Sequence, residues 1–190
     1  MRFTVIGGLN GVGKSTIYST LSDEEILALG KRINVDEIVS SLGDWWDIET
    51  QYTAGKLAVK EIKQCLNAGA CFHQETTLAG RSILNTIKIA KSKGYSMHLW
   101  YIYVSNVEIA KQRVKSRVAN GGHGIADDII ERRSITTLEG LKNVLPFCDE
   151  VRLYDNTTVF NPVARITNGK LIYLDKNIPA QIAACLLEIK

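Results

Sequence analysis

The segment Gly8-Leu9-Asn10-Gly11-Val12-Gly13-Lys14-Ser15-Thr16 has the chemistry of a phosphate cradle. Its glycines let backbone N–H groups turn inward around an anion, with Asn10 and Val12 spacing them. Lys14 brings a mobile positive charge to the β- and γ-phosphates, and the Ser15 hydroxyl is placed to ligate the Mg²⁺ that accompanies them. The ligand class is a nucleoside triphosphate, with ATP the expected one. Other reactive side chains follow apolar runs: Asp36, Glu75 with Thr77, and Asp155-Asn156. In open α/β sheets such positions converge on one cleft beyond the carboxyl ends of the strands. Asp36 is the expected general base, taking a proton from a substrate hydroxyl while Lys14, Mg²⁺ and arginines stabilise the phosphoryl group. Glu75 is expected to hold a magnesium-bound water or bind substrate hydroxyls.

Arg113 and Arg117 are four residues apart and share a helical face. With Arg132 and Arg133 they flank Gly121-Gly122-His123-Gly124, two basic arms around a hinge. The pattern suits a lid that excludes water and sets a guanidinium on the γ-phosphate. His123 reads either as a substrate ligand or as a turn residue. Lys111 and Lys115 are expected to face solvent. Trp45 and Trp46 read first as packing residues and second as an apolar wall for a substrate ring.

The elements that must position these groups alternate. Strands are expected at Arg2–Ile6, Lys31–Val35 ending at Asp36, Ala70–His73 running on to Thr77, Met97–Val104 and Val151–Tyr154. Helices are expected after the loop at Ser15–Leu21, then at Gln51–Ala68, Ser82–Lys93, on both sides of the glycine break, and at Ala180–Ile189. Asn168-Gly169 between short strands at 163–167 and 171–174 signals a hairpin. The predicted fold class is α/β: a P-loop NTPase three-layer sandwich with a mainly parallel twisted sheet, a helical lid over about residues 106–145 and a C-terminal β-hairpin. The 190 residues are read as a single domain.

A hydrophobic fraction of 45% and a net charge of +3 describe an ordinary globular chain, with no demand for nucleic acid or an anionic membrane. Cys65, Cys71, Cys148 and Cys185 are scattered without zinc or disulfide spacing and read as reduced thiols. A strand entering the loop from Arg2 leaves no room for a signal peptide, and no apolar run spans a membrane, so a cytoplasmic location is expected.

The ordered set of Gly8 to Thr16, Asn34-Val35-Asp36, Glu75-Thr76-Thr77 with Arg81, Arg113-Val114-Lys115-Ser116-Arg117, Gly121-Gly122-His123, Arg132-Arg133 and Leu153-Tyr154-Asp155-Asn156 resembles the zeta-toxin family of P-loop kinases. The Gly-Gly-His is similar to that of the shorter, chromosomally widespread branch. The resemblance implies an adenylate-kinase-like core and Mg²⁺/ATP-dependent phosphorylation of a hydroxyl, which in the better-known toxins belongs to a UDP-activated amino sugar. It also implies an antitoxin partner. By position it makes Lys14, Asp36, Arg117 and Arg132 catalytic. Gly8, Asn10, Gly11, Val12, Gly13, Lys14, Ser15, Thr16, Arg113 and Arg117 bind nucleotide, and Asp36, Glu75, Thr77, Arg81, His123 and Arg133 bind substrate. Competing readings are a kinase for another metabolite or for a nucleic-acid 5′ end, and an ATP-hydrolysing switch of the ABC type. The chain lacks four apolar residues followed by Asp-Glu and has no Leu-Ser-Gly-Gly-Gln, which argues against the switch.

Overall fold

Alternation of side chains along the first strand sets the architecture. In β1 (Arg2–Gly7), Phe3 and Val5 point to one face and Thr4 and Ile6 to the other, all buried, as a strand covered on both sides requires. The computed structural model describes residues 1–187 and places β1 near the middle of a seven-stranded sheet. The other strands are β2 (Lys31–Ile33), β3 (Phe72–Thr76), β4 (Ser96–Tyr103), β5 (Glu150–Asp155), β6 (Asn161–Thr167) and β7 (Lys170–Leu174). Their order is β2-β3-β1-β4-β5-β6-β7. The first five are parallel, and β6 and β7 are antiparallel. Gly7 pairs with Thr76 and Tyr101, so the ends of β1, β3 and β4 are level and their following loops share one edge.

Helices cover both faces. Phe3, Phe72 and Leu99 pack beneath α3 (Ile48–Ala68), α4 (Arg81–Ser92), the end of α6 (Asp127–Val144) and α7 (Ala180–Leu187). Ile6, Trp100 and Ile102 pack beneath Ile17, Leu29 of α1 (Asp23–Leu29), Ala110 and Val114 of α5 (Val107–Ala119), and Ile130. This is the expected three-layer sandwich. The hairpin is there too, with Asn168 and Gly169 at φ 49° and 71° in the turn. The expected extension of the last helix to Ile189 falls outside the described residues. No helix among the described residues is long and apolar enough to cross a membrane.

Several boundaries differ from expectation for identifiable reasons. The segment after the phosphate loop is a 3-10 helix, Lys14–Thr20. It is rich in Ser and Thr, and the Ser19 and Thr20 hydroxyls donate to the carbonyls of Thr16 and Ile17, competing with regular helical bonding. A new helix, α1, then starts at a capping box: Ser22 accepts from the Glu25 N–H and Glu25 from the Ser22 N–H. The second strand stops at Ile33 because Asn34 caps α2 (Val35–Leu42) by accepting from the Asp36 N–H. Asp36 therefore sits in the first turn of a helix, not at a strand end. Helix α3 begins three residues before Gln51 because Asp47 accepts from the N–H groups of Glu49 and Thr50.

Lys111 corrects a second expectation. It is 6% exposed, with Nζ bonded to Glu108 at 2.7 Å and to Glu131, so it ties α5 to α6. Lys115, at 67% side-chain exposure, does face solvent and pairs with Asp127.

Helix α6 is held against the end of β3 at one glycine. The Leu78 N–H donates to Thr76 Oγ1, and Leu78 takes φ 61° to turn the chain there. A Cβ on Gly140 would lie 2.1 Å from the Leu78 carbonyl oxygen. Gly140→Ala is expected to destabilise the protein even though alanine gains about 1 kcal/mol of helix propensity. Overpacking against fixed backbone costs about 1–3 kcal/mol, and each net kcal/mol lowers Tm by roughly 2–4 °C in a chain of this size. A Tm at or above wild type in a thermal melt would mean that α6 is free to move away from Leu78.

Candidate active site

The phosphate loop is clamped from two sides. Gly11 and Gly13 take φ 82° and 85°, where only glycine is unstrained. A Cβ on Gly11 would meet the Ala110 carbonyl oxygen of α5 at 2.3 Å, and one on Gly13 would meet Asn156 Nδ2 at the same distance. Asn156 is buried and donates from Nδ2 to the Val12 carbonyl at 2.8 Å, so its role at the end of β5 is to brace the loop. Lys14 Nζ donates to the carbonyls of Gly8 and Leu9 at 3.0 and 3.2 Å. Burial pushes its pKa down to about 8, helped by Arg117 and Arg133 and opposed by Glu75 and Asp36.

That shift has a consequence for ligand affinity. A phosphate beside Lys14 favours the ammonium, so the liganded form binds the proton more tightly than the free form. Were a nucleoside triphosphate to bind beside Lys14, its affinity is expected to be flat below about pH 8 and to fall about tenfold per unit above it, until the liganded pKa is reached. Titration calorimetry at pH 7 and pH 9 checks this, and equal affinities would remove Lys14 from the phosphate site.

Glu75, at the end of β3, is the hub of the site. Its side chain is 6% exposed, and Oε1 accepts from Arg32 Nη2 at 2.6 Å and from Asn34 Nδ2 at 3.1 Å. Oε2 accepts from the Ser15 hydroxyl at 3.0 Å, joining the carboxylate to the phosphate loop. Arg32 is itself held by Glu37 at 2.7 Å and lies over the Tyr18 ring, 4.2 Å from its centroid. Neither Arg32 nor Asn34 is read as a site residue from sequence. The available signal is a charged residue inside a three-residue strand, followed at once by a helix-capping Asn.

Two cavities meet at this hub. One, of about 280 Å³, runs along Gly11, Gly13, Ser15 and Thr16 beneath Arg113 and Arg117. The other, of about 510 Å³, is bounded by Trp45, Trp46, Thr76, Thr77, Ile125 and Arg133. Asn10, Lys14, Asp36 and Glu75 line both. Arg113 donates to the Thr157 carbonyl at 3.2 Å, and Arg133 to Asn10 Oδ1 at 2.9 Å. Arg132 lies in an adjoining recess that shares Thr76, Thr77 and Arg133 with the larger cavity. Arg81 is elsewhere, at the start of α4 in a separate cavity with Glu139 and Asn143, and is not brought to the cleft.

His123 is brought to the cleft by the glycine break. The Gly122 N–H donates to the Arg117 carbonyl, and Arg117 Nε donates to the His123 carbonyl, both at 2.9 Å. The imidazole packs on the Trp45 ring at 4.0 Å between centroids, and its Nε2 lies 3.2 Å from Asp36 Oδ2. Trp46 remains 68% exposed.

A hard, largely hydrated cation such as Mg²⁺ needs few protein oxygens. Among the described residues no cluster of three or more His, Cys, Asp or Glu side chains forms a protein cage. The Ser15 hydroxyl donates to Glu75 Oε2 at 3.0 Å at the foot of the phosphate loop, and the pair could supply one ligand and one partner for a metal-bound water.

No family model matches the chain. An uncharacterized protein of Haemophilus influenzae is 36% identical over 126 residues, which is 66% of this chain and 87% of that protein. Among solved structures, the AvrRxo1-ORF1:AvrRxo1-ORF2 complex with sulphate ions matches over 100% of this chain with a TM-score of 0.75 and 15% identity. The same pair solved with ATP gives a TM-score of 0.70 at 16% identity over 99% of this chain. This chain spans 65% and 63% of the lengths of those two partners in the match. A structure of the PezAT chromosomal toxin-antitoxin system of Streptococcus pneumoniae matches 82% of this chain and 67% of its own, with a TM-score of 0.61 and 17% identity.

Proposed function

We propose that this chain, which belongs to the family of the Haemophilus influenzae protein and has the zeta-toxin-like P-loop kinase fold, transfers the γ-phosphate of ATP to a hydroxyl of a small molecule. The observation that carries this reading is the shared wall: Asn10, Lys14, Asp36 and Glu75 border both the cavity over the phosphate loop and the larger cavity beside it. A reactive γ-phosphate held by Lys14 would lie at the junction, within reach of an acceptor in the second cavity. A module that only hydrolyses ATP has no need of such a second chamber.

In this reading the backbone of Gly11 to Ser15 holds the phosphates, with the Lys14 ammonium leaving its carbonyl partners for phosphate oxygens. Ser15 and a Glu75-bound water would hold Mg²⁺, which neutralises charge on the β- and γ-phosphates. Arg117 and Arg113, on α5 above the loop, balance the charge that spreads over the transferring group. Asp36 accepts the hydroxyl proton. Arg133 and Thr77 bind the acceptor, with Arg132 at its outer end, and α5, the glycine break and α6 form the lid. Trp45 and Trp46 with Arg133 suit a ring carrying an anionic group, so nucleotide sugars are the first acceptors to test. The solved AvrRxo1-ORF1 pair with ATP supports ATP as donor, and the PezAT system supports looking for an antitoxin.

The test is mass spectrometry of a metabolite extract incubated with the protein and γ-labelled ATP. One labelled small molecule identifies the acceptor. Label released solely as inorganic phosphate, at the same rate with and without extract, would favour the hydrolytic switch.

A further inference from the structure

We propose that His123 is a positioning residue for Asp36: anchored by Arg117, it holds the carboxylate toward the junction of the two cavities when both ligands are in place. The inference rests on the kinase reading above and adds a role for the hinge histidine within it.

Asp36 needs such a partner. Its side chain is 47% exposed in the first turn of α2, and its backbone N–H, not its carboxylate, makes the capping bond to Asn34. Among the described residues His123 is the one side chain within ion-pair distance of that carboxylate, at 3.2 Å. The histidine is far better fixed. Its side chain is 16% exposed, its ring rests on Trp45, and its carbonyl accepts from Arg117 Nε. The loop that carries it is built to be short and tight. Gly121 takes φ 83°, and a Cβ on Gly122 would lie 2.6 Å from Arg117 Cγ. Thus one residue touches the candidate base through its ring and the candidate phosphate arginine through its backbone.

The Nε2–Asp36 contact is close yet not aligned, and Nε2 has no well-formed hydrogen bond. Catalytic hydrogen bonds are commonly long or misaligned in unliganded enzymes and tighten in the complex. Burial holds the imidazole pKa below its usual value, with Arg117 adding to the effect and Asp36 opposing it. The groups facing the ring are Asp36 from α2, Arg117 from α5 and the uncharged Trp45 indole from the loop before α3. Burial favours the neutral ring, whose Nε2–H tautomer would give the carboxylate a donor without taking up the proton that Asp36 must receive.

The experiment has two arms on the full chain. The first follows the imidazole nitrogens by NMR. The sequence has three histidines, so His123→Gln assigns the signal by its disappearance. Asp36→Asn should lower the His123 pKa and Arg117→Ala should raise it; a titration unmoved by Asp36→Asn overturns the contact. The second arm measures release or transfer of label from γ-labelled ATP. His123→Ala is expected to lower kcat about 10- to 100-fold, by analogy with residues that orient a metal's ligands, with ATP KM unchanged. His123→Gln, which keeps an N–H donor, should recover most of the loss. Equal rates for wild type and His123→Ala overturn the proposal, as does a fall that His123→Gln fails to rescue. Wild-type protein that turns over no ATP sinks the kinase reading itself and this proposal with it, a result distinct from any of the variant outcomes.

Discussion

Asp36→Asn is expected to keep ATP binding and to lose phosphoryl transfer by about 10²–10⁴-fold, the usual contribution of a general base. The two side chains are nearly the same size, and the α2 cap uses the Asp36 backbone N–H with Asn34 Oδ1, so the fold should be untouched. An amide cannot take the acceptor's proton, whereas the phosphate cradle of Gly11 to Ser15 does not depend on that carboxylate. The change has one electrostatic side effect. The Asp36 charge supports the Lys14 ammonium, whose pKa is already down to about 8. Removing it lowers that pKa further, and nucleotide affinity in the variant should begin to fall at lower pH than in wild type. Binding and turnover are therefore best compared well below pH 8, on the side where the Lys14 ammonium is favoured. Full turnover in the variant would reduce Asp36 to a first-turn acid that merely complements the helix dipole.

How much of this site is legible in the sequence depends on the distance over which each role is set. The phosphate cradle is local: nine consecutive residues carry the glycines, the lysine and the hydroxyl, and the chain folds as they imply. The strand–helix alternation is equally local and gives the layered sheet. Asp36 is visible as a polar residue after an apolar run, yet its element is misread, since the Asn34 side chain ends the strand and starts a helix. That cap, like the Ser22–Glu25 box of α1, is a written signal.

Lys111 is different. Nothing in its own helix reveals Glu131, which arrives from α6 and draws the ammonium inward. Arg32 is invisible for the same reason: its partner Glu75 lies 43 positions away and meets it across the paired strands β2 and β3. Arg81 is the opposite case, a residue named by resemblance that the start of α4 directs to a separate cavity. The Gly-Gly-His segment is visible in the sequence as a glycine-rich break between two helices. Its link from Arg117 to Asp36 exists only once α5 and α2 face each other across the cleft.

Lys14→Ala is expected to lower turnover by at least about 10²–10³-fold, the loss typical of removing one donor from a preorganised anion site, while leaving the fold at least as stable as before. The second half follows from the same burial that serves the first. Because the folded-state pKa is depressed, the unfolded chain binds the proton more tightly between about pH 8 and the ordinary lysine value of 10.5, and stability due to this group rises with pH across that window. At neutral pH the ammonium is charged in both states, and its burial penalty opposes folding, offset in part by the Glu75 and Asp36 carboxylates and by the bonds to the Gly8 and Leu9 carbonyls. In the kinase reading, removing it relieves a cost that a bound phosphate would offset, a trade of stability for function common at active sites. Thermal melts at pH 7 read both halves at once. Wild type should gain Tm with MgATP by mass action, and the variant should start at an equal or higher Tm and gain far less. A variant that melts lower than wild type but responds to MgATP as wild type does would make Lys14 a structural clasp on the loop, and the phosphate assignment would fall with it.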